Sequence, residues 1–198
     1  MEKKLLKKAK FWAKILGYCP SVVAIFLSGS VAIGNAKKSS DIDFFIIARN
    51  GRIWTARFFV FLVLKLFRQL AKPENHAGKI CPNHFITDDC LEIVEQDQYA
   101  ANLFAHNITL SDFKNIFPVF AQTNQKWVTK FGESFSDYDL KRNPSFSLMT
   151  NKPSRLESFL RKIQIKKIQK NPDYQKQNAK IILENNELRF HPEPKNTL

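Results

Sequence analysis

The stretch FLSGSVAIGNAKKSSDIDFFII, Phe26 to Ile47, decides the fold class of this chain. An apolar run ends at Gly29-Ser30, a polar connection follows, and a second apolar run begins with Asp41 and Asp43. Apolar runs of this length, bounded by turn formers and rich in β-branched residues, are typical of buried strands. We therefore predict a strand before Gly29, a short helix over 30–36 and a second strand over 41–48.

The two aspartates predict a metal site. Alternate residues of a strand point to the same face, so Asp41 and Asp43 project to one side. Neighbouring carboxylates repel each other unless a cation or hydrogen bonds compensate, and their oxygens suit Mg²⁺. The alternative is a solvated strand end or a helix cap with a surface acid. The buried run that follows Asp43 argues against it, because an unpaired charge there is costly.

The Gly29-Ser30 turn predicts a phosphate site beside the aspartates. A glycine between a strand and a helix lets backbone amides come close to a phosphate, although an ordinary turn is the alternative. Lys38, Arg52 and Arg57 are further candidates for phosphate contacts, against the alternative of solvated or helix-surface cations. The predicted nucleotide-binding set is thus Gly29, Ser30, Lys38, Arg52 and Arg57.

The combined pattern resembles a known family. An apolar strand that leads into Gly29-Ser30, a ten-residue spacer and Asp-hydrophobic-Asp-hydrophobic resemble the signature of the polymerase β-like nucleotidyltransferase superfamily. The segments GRIWTARFF, KICPNHF and ELRFHP also look like a bacterial subgroup of small nucleotidyltransferase-domain proteins. The resemblance implies a mixed sheet flanked by helices, and Mg²⁺-dependent transfer of a nucleoside monophosphate from an NTP to an acceptor. Ser30 would contact the triphosphate, and Asp41 and Asp43 would be the catalytic metal ligands.

One departure from the family pattern leaves a second function open. Active members usually carry a third carboxylate on a later strand, whereas the run ICPNHFI has none; Asp88, Asp89 and Glu92 follow it. Whether one of these completes the site is left open by the sequence. The alternative function is a catalytically impaired nucleotide- or RNA-binding module of the same fold.

The remaining periodicities predict an α/β (α+β) protein with a nucleotidyltransferase core over 1–110 and a helical region over 111–198. Pro82 indicates an edge or a bulge in a strand over 79–87. Beyond residue 110 we predict a helix over 118–131, a loop over 135–154, a basic amphipathic helix over 155–170 and a hairpin turning at Asn185-Asn186. The apolar stripe of the predicted basic helix consists of Leu156, Phe159, Leu160 and Ile163. Further helices are predicted over 4–16, 52–70 and 99–107.

The composition indicates which class of partner and which cellular compartment to expect. The 198 residues, 44% hydrophobic and 25% charged, are typical of a globular chain and exclude a fibrous or wholly disordered one. The net charge of +13 favours a polyanionic partner such as nucleotide phosphates or a nucleic acid bound by Arg155–Lys170, with biased codon usage as the alternative. Three scattered cysteines predict neither disulfides nor a zinc site. With no signal peptide apparent, we expect a cytoplasmic protein.

One apolar segment bears on membrane association. The run Phe58–Leu64 is far shorter than the roughly 20 residues that a bilayer crossing needs, so we predict a buried helix and no transmembrane segment. A membrane-peripheral or scaffold protein that uses this run is a third alternative.

Overall fold

The computed structural model describes residues 1–136, 152–170 and 180–191, and its helices and strands alternate along most of the chain. The predicted loop over 135–154 lies mainly outside these residues, as do the two ends of the segment predicted as a hairpin. The elements are α1 Glu2–Leu16, β1 Val22–Ser28, α2 Gly29–Ile33, β2 Ile42–Ala48, α3 Ile53–Leu66, β3 Ile80–Thr87, α4 Gln98–Ala105, β4 Ile108–Asp112, α5 Phe117–Lys130, α6 Arg155–Gln169, β5 Lys180–Leu183 and β6 Glu187–His191.

The described strands form one six-stranded mixed sheet in the order β4-β1-β2-β3-β6-β5. All neighbours are antiparallel except β2 and β3, which are parallel and joined by α3. The parallel pair requires a crossover, and the apolar helix α3 supplies it. Strands from both sides of residue 110 therefore share one sheet. The predicted fold class, a mixed sheet flanked by helices, is confirmed.

The two faces of the sheet carry separate cores. Ile25, Leu27, Phe44 and Ile46 point to the face covered by α1, α3 and α6. The alternate residues, including Phe26 and Phe45, point to the face covered by α4 and α5. Asp43 is two residues before Phe45, so its side chain belongs to the α4 side of the sheet.

Strand β4 was not predicted from the sequence. Its five residues, Ile108–Asp112, are only partly buried, and they pair with β1 at the edge of the sheet. A run of five residues, three of them polar, is too short for its alternation of apolar and polar side chains to be distinctive, so its strand conformation depends on the backbone partners that β1 offers. The predicted bulge at Pro82 is present, because the register with β2 shifts between Phe44 and Phe45.

Helix α6 lies where it was predicted, but its buried face was predicted wrongly. Only Leu160 of the expected apolar stripe is buried, while Leu156, Phe159 and Ile163 are about half exposed. The buried side chains are Glu157, Leu160 and Gln164, which follow a helical i, i+3, i+7 spacing and face α3. The polar residues are buried because α3 offers them hydrogen-bond partners. Hydrophobicity alone contains no information about such partners.

Within the residues that the structure describes, every helix is too short or too polar to cross a bilayer. The apolar run Phe58–Leu64 belongs to α3, which packs against α6 and β3.

Candidate active site

The predicted motif folds into a tight corner at one end of the sheet. Ser28, the last residue of β1, pairs with Asp43 of β2, and Gly29 begins the turn into α2. Gly29 has φ 67°, in the left-handed region that favours glycine. A Cβ atom at this position would overlap Asp43 Oδ2. The turn therefore needs glycine for its backbone conformation and for its close approach to the carboxylate.

Gly29→Ala is expected to displace the Asp43 carboxylate. We expect at least about tenfold weaker binding of a divalent cation, the size of effect seen when the support of a metal ligand is lost. Gly34→Ala is the matched control, because Gly34 also has a positive φ of 87° but has open space around its Cβ position. Calorimetric titration with Mn²⁺ measures the difference. Equal affinities in the two variants would show that the Gly29–Asp43 approach is irrelevant to metal binding.

Three potential metal ligands converge beside this turn. The ligand atoms of Asp41, Asp43 and Cys81 all lie within 4.8 Å of one another. Asp43 is buried, and the other two are half-buried. Cys81 reaches this position because it pairs with Asp43 in the parallel register of β2 and β3. The prediction that Asp41 and Asp43 project together agrees with this arrangement.

A pocket opens from the Asp43 carboxylate toward α4. The bulge in β3 adds one residue against β2, so Asn83 and His84 both line the pocket. Asn83 Nδ2 donates a hydrogen bond of 2.8 Å to Asp43 Oδ1, which orients the carboxylate. Helix α4 supplies the outer wall with an aromatic ring and an apolar side chain. The lining residues are Ser28, Gly29, Asp43, Phe45, Asn83, His84, Tyr99 and Leu103.

Two of the other predicted nucleotide-binding residues lie at the same end of the sheet. The Ser30 hydroxyl is 3.2 Å from the Ser40 hydroxyl, which also accepts a hydrogen bond of 2.9 Å from the Lys37 backbone N–H. These bonds tie the start of α2 to the loop before β2. Lys38 is exposed in that loop.

The structure does not bring Arg52 and Arg57 to this end of the sheet. Arg52 follows the far end of β2 and donates hydrogen bonds to the carbonyls of Gly51 and Lys152. Arg57 is buried on the opposite face, where it donates a hydrogen bond of 2.7 Å to Gln164 Oε1 and lies over the rings of Phe61 and Phe190. Burial lowers its pKa to about 9. Arg57 thus stabilises the contact of α3 with α6.

Asp88 and Asp89, the first two acids after β3, lie at the end of β3 remote from Asp41 and Asp43. Asp88 follows Cys81 by seven positions along an extended strand, a span of about 23 Å. Asp88 is buried there and accepts a hydrogen bond of 2.7 Å from the Asn50 backbone N–H. Asp89, which follows it, is exposed. The residue of β3 that lies opposite Asp43 is Cys81.

The wall of the pocket contains a buried histidine–carboxylate pair. His84 Nε2 is 3.0 Å from Glu187 Oε1 of β6. Burial lowers the pKa of His84 and outweighs the opposite effect of the hydrogen bond. Burial alone would raise the pKa of Glu187, but its hydrogen bond with His84 and the charge of the neighbouring Arg189 leave that pKa lowered. A neutral imidazole therefore donates its Nε2–H to an ionised carboxylate.

This pair predicts a loss of stability in mild acid. The pKa of His84 is lower in the folded protein than its ordinary 6.5, so the unfolded chain binds more protons once the pH falls below that value. We expect the melting temperature to be highest above pH 6.5 and to fall as the pH decreases. His84→Gln should flatten this dependence between pH 7.5 and 5.5, whereas the exposed His106→Gln should not. Parallel pH profiles for wild type and His84→Gln would contradict this assignment.

The sequence did not identify Cys81 as a site residue. It stands apart from the two aspartates along the chain, and a single cysteine has no diagnostic spacing. The available signal was weak. If β3 runs parallel to β2 and starts level with it, its second residue faces the second aspartate, but the sequence does not determine that register.

Comparison with known proteins agrees with the geometry. No curated protein matches the chain. A family model described as nucleotidyltransferase domain matches residues 3–120, which include the Gly29-Ser30 turn, both aspartates and the whole of β3. On this match, which covers more than half of the sequence, the chain belongs to the nucleotidyltransferase domain family.

Proposed function

We propose that the protein transfers a nucleoside monophosphate from an NTP to an acceptor in the pocket beside Asp43. The observation that carries the proposal is the close approach of Gly29 to the Asp43 carboxylate, next to the side chains of Asp41 and Cys81. It supports a phosphate-binding role for the turn and a metal-binding role for the two aspartates. Family membership supports the reaction class. In such a transfer, an acceptor oxygen forms a bond to the α-phosphorus while the bond to pyrophosphate breaks.

Asp41 and Asp43 are the proposed holders of a divalent cation, and Mg²⁺ is the ion that two carboxylates predict. Such an ion supplies charge stabilisation for the attacking and leaving oxygens. The two carboxylates fit this requirement. Asn83 holds Asp43 in place through its hydrogen bond, and Gly29 leaves room for the carboxylate.

Phosphate contacts are proposed for Gly29, Ser30 and Lys38. All three lie on the turn or on the loop between α2 and β2, close in sequence to the aspartates. Tyr99 and Leu103 of α4 line the same pocket and offer an aromatic and an apolar surface to the nucleoside part of the substrate. Arg52 and Arg57 are left out of this set, because Arg52 follows the far end of β2 and Arg57 is buried on the opposite face of the sheet.

The experiment is a transfer assay with each of the four NTPs, labelled on the α-phosphate, in the presence of Mg²⁺ or Mn²⁺. The candidate acceptors are an RNA oligonucleotide, a small polyol and the protein itself, and the readouts are pyrophosphate release and the species that carries the label. RNA is included because five basic residues on α6 and at its C-cap are accessible and offer contacts to a phosphate backbone. These residues are Arg155, Lys162, Lys166, Lys167 and Lys170. Label transfer that depends on Asp41 and Asp43 is the expected result.

A second candidate function is nucleotide binding without transfer. It is favoured by Cys81, because the residue of β3 opposite Asp43 is not a carboxylate. The two functions give different results in one pair of measurements. Calorimetry with NTP and Mg²⁺ shows binding in both cases, whereas pyrophosphate release occurs only if the protein is a transferase. Binding without release for every NTP would replace the first proposal by the second.

A further inference from the structure

Cys81 occupies the strand position that faces Asp43. The parallel register places Cys81 directly beside Asp43, and both side chains therefore point to the same face of the sheet. Its Sγ atom lies within 4.8 Å of an oxygen of Asp41 and of Asp43. A tetrahedral zinc ion, with bonds of about 2.3 Å to sulfur and about 2.1 Å to oxygen, holds these donors roughly 3.6 Å apart. Side-chain shifts of about 1 Å therefore separate the observed arrangement from a three-ligand site.

The other polar side chains near the aspartates are engaged differently. Asn83 directs its amide nitrogen, which is a donor and not a metal ligand, toward Asp43 Oδ1. His84 is hydrogen-bonded through Nε2 to Glu187 of β6, the strand next to β3 on the side away from β2. Within the described residues, the potential metal-ligand group at this site consists of Asp41, Asp43 and Cys81. The third ligand that the chain offers is therefore sulfur.

Sulfur changes which cations the site prefers. Mg²⁺ requires oxygen ligands in a nearly ideal octahedron and gains little from a thiolate. Zn²⁺ accepts carboxylate oxygen and cysteine sulfur together, and thiolates select such borderline and soft ions. A half-buried cysteine beside two carboxylates thus strengthens binding of a thiophilic ion more than binding of Mg²⁺.

We propose that Cys81 is a thiolate ligand of the Asp41–Asp43 metal site and that it makes this site selective for thiophilic divalent cations such as Zn²⁺. The inference rests on the proposed function only in taking Asp41 and Asp43 as metal ligands. Mg²⁺ binds through the two carboxylates and water, and Cys81 contributes little to its affinity.

The test measures metal binding directly and needs no substrate. Cd²⁺ is added to the full chain, and the ultraviolet charge-transfer band of a cadmium–thiolate bond is followed. Zn²⁺ affinity is measured by competition with a chromophoric chelator, and Mg²⁺ affinity by calorimetry. The variants are Cys81→Ser, Cys81→Asp and, as the matched control, Cys90→Ser. Cys90 is also half-buried, but it follows the far end of β3.

The expected result is a charge-transfer band in wild type and Cys90→Ser that is absent in Cys81→Ser. Cys81→Ser should weaken Zn²⁺ binding at least about tenfold, as expected for loss of a ligand interaction, and leave Mg²⁺ affinity nearly unchanged. Cys81→Asp should reverse the preference by strengthening Mg²⁺ binding. Thermal unfolding of the metal-free variants verifies that each one folds.

Two outcomes would overturn the inference, and both differ from failure of the proposed function. Cd²⁺ binding without a thiolate band excludes Cys81 as a ligand, and an equal loss of Zn²⁺ and Mg²⁺ affinity in Cys81→Ser excludes its role in selectivity. Either result leaves transferase activity at Asp41 and Asp43 intact. Conversely, a Cys81-dependent band without pyrophosphate release would support the metal-site inference and contradict the proposed transferase function.

Discussion

Asp43→Asn is expected to reduce nucleotidyl transfer by about a thousandfold while the protein stays folded. Charge stabilisation by a bound metal is worth several kcal/mol, and about 1.4 kcal/mol corresponds to a factor of ten in rate. Asparagine has the shape of aspartate and its Oδ1 still accepts the hydrogen bond from Asn83. The variant therefore removes the ligand charge and leaves the packing around the turn unchanged.

The matched control for this experiment is Asp89→Asn. Asp89 is an exposed acid just beyond the far end of β3, so its replacement changes the net charge by the same amount at a distance from the pocket. We expect normal pyrophosphate release from this control. The double variant Asp41→Ala with Asp43→Ala should show no release above background. Undiminished transfer by that double variant would refute the assignment of both residues.

Glu157→Ala is expected to destabilise the protein by about 3 kcal/mol, through loss of a cap that joins two helices. Glu157 of α6 accepts hydrogen bonds of 2.8 and 2.9 Å from the backbone N–H groups of Trp54 and Thr55, and a third of 2.6 Å from the Thr55 hydroxyl. These amides begin α3, where the N-cap residue Arg52 makes no side-chain cap bond. Each buried donor left without a partner costs about 1–3 kcal/mol.

The measurement is thermal or urea unfolding, and at this chain length about 3 kcal/mol lowers the melting temperature by roughly 6–12 °C. Ser158→Ala is the matched control, since Ser158 is the next residue on α6 and is exposed. Its effect should stay within about 0.5 kcal/mol. Glu157→Gln keeps the size but offers one acceptor oxygen instead of two, so we expect an intermediate loss. A Glu157→Ala protein as stable as wild type would mean that another group caps α3.

The sequence determined the local parts of this molecule. The strand–turn–helix of β1, Gly29-Ser30 and α2, and the pair Asp41 and Asp43 on one face of β2, follow from short-range rules of backbone conformation and side-chain alternation. The same rules located the other five described helices within a few residues and also the strand with a bulge at Pro82. Such features depend on residues that are neighbours along the chain, so they can be inferred without knowing which elements pack together.

Tertiary structure alone decided which residue of β3 lies beside Asp43 and which side chains join the helices. Cys81 faces Asp43 because β3 runs parallel to β2 in one particular register, and the spacing of residues along either strand does not specify that register. Arg57 and Glu157 are of residue types that usually lie on the protein surface. They are buried because α6 and the start of α3 supply hydrogen-bond partners from distant parts of the chain. Pairing between distant residues depends on the packing of whole elements, and hydrophobic periodicity contains no information about it.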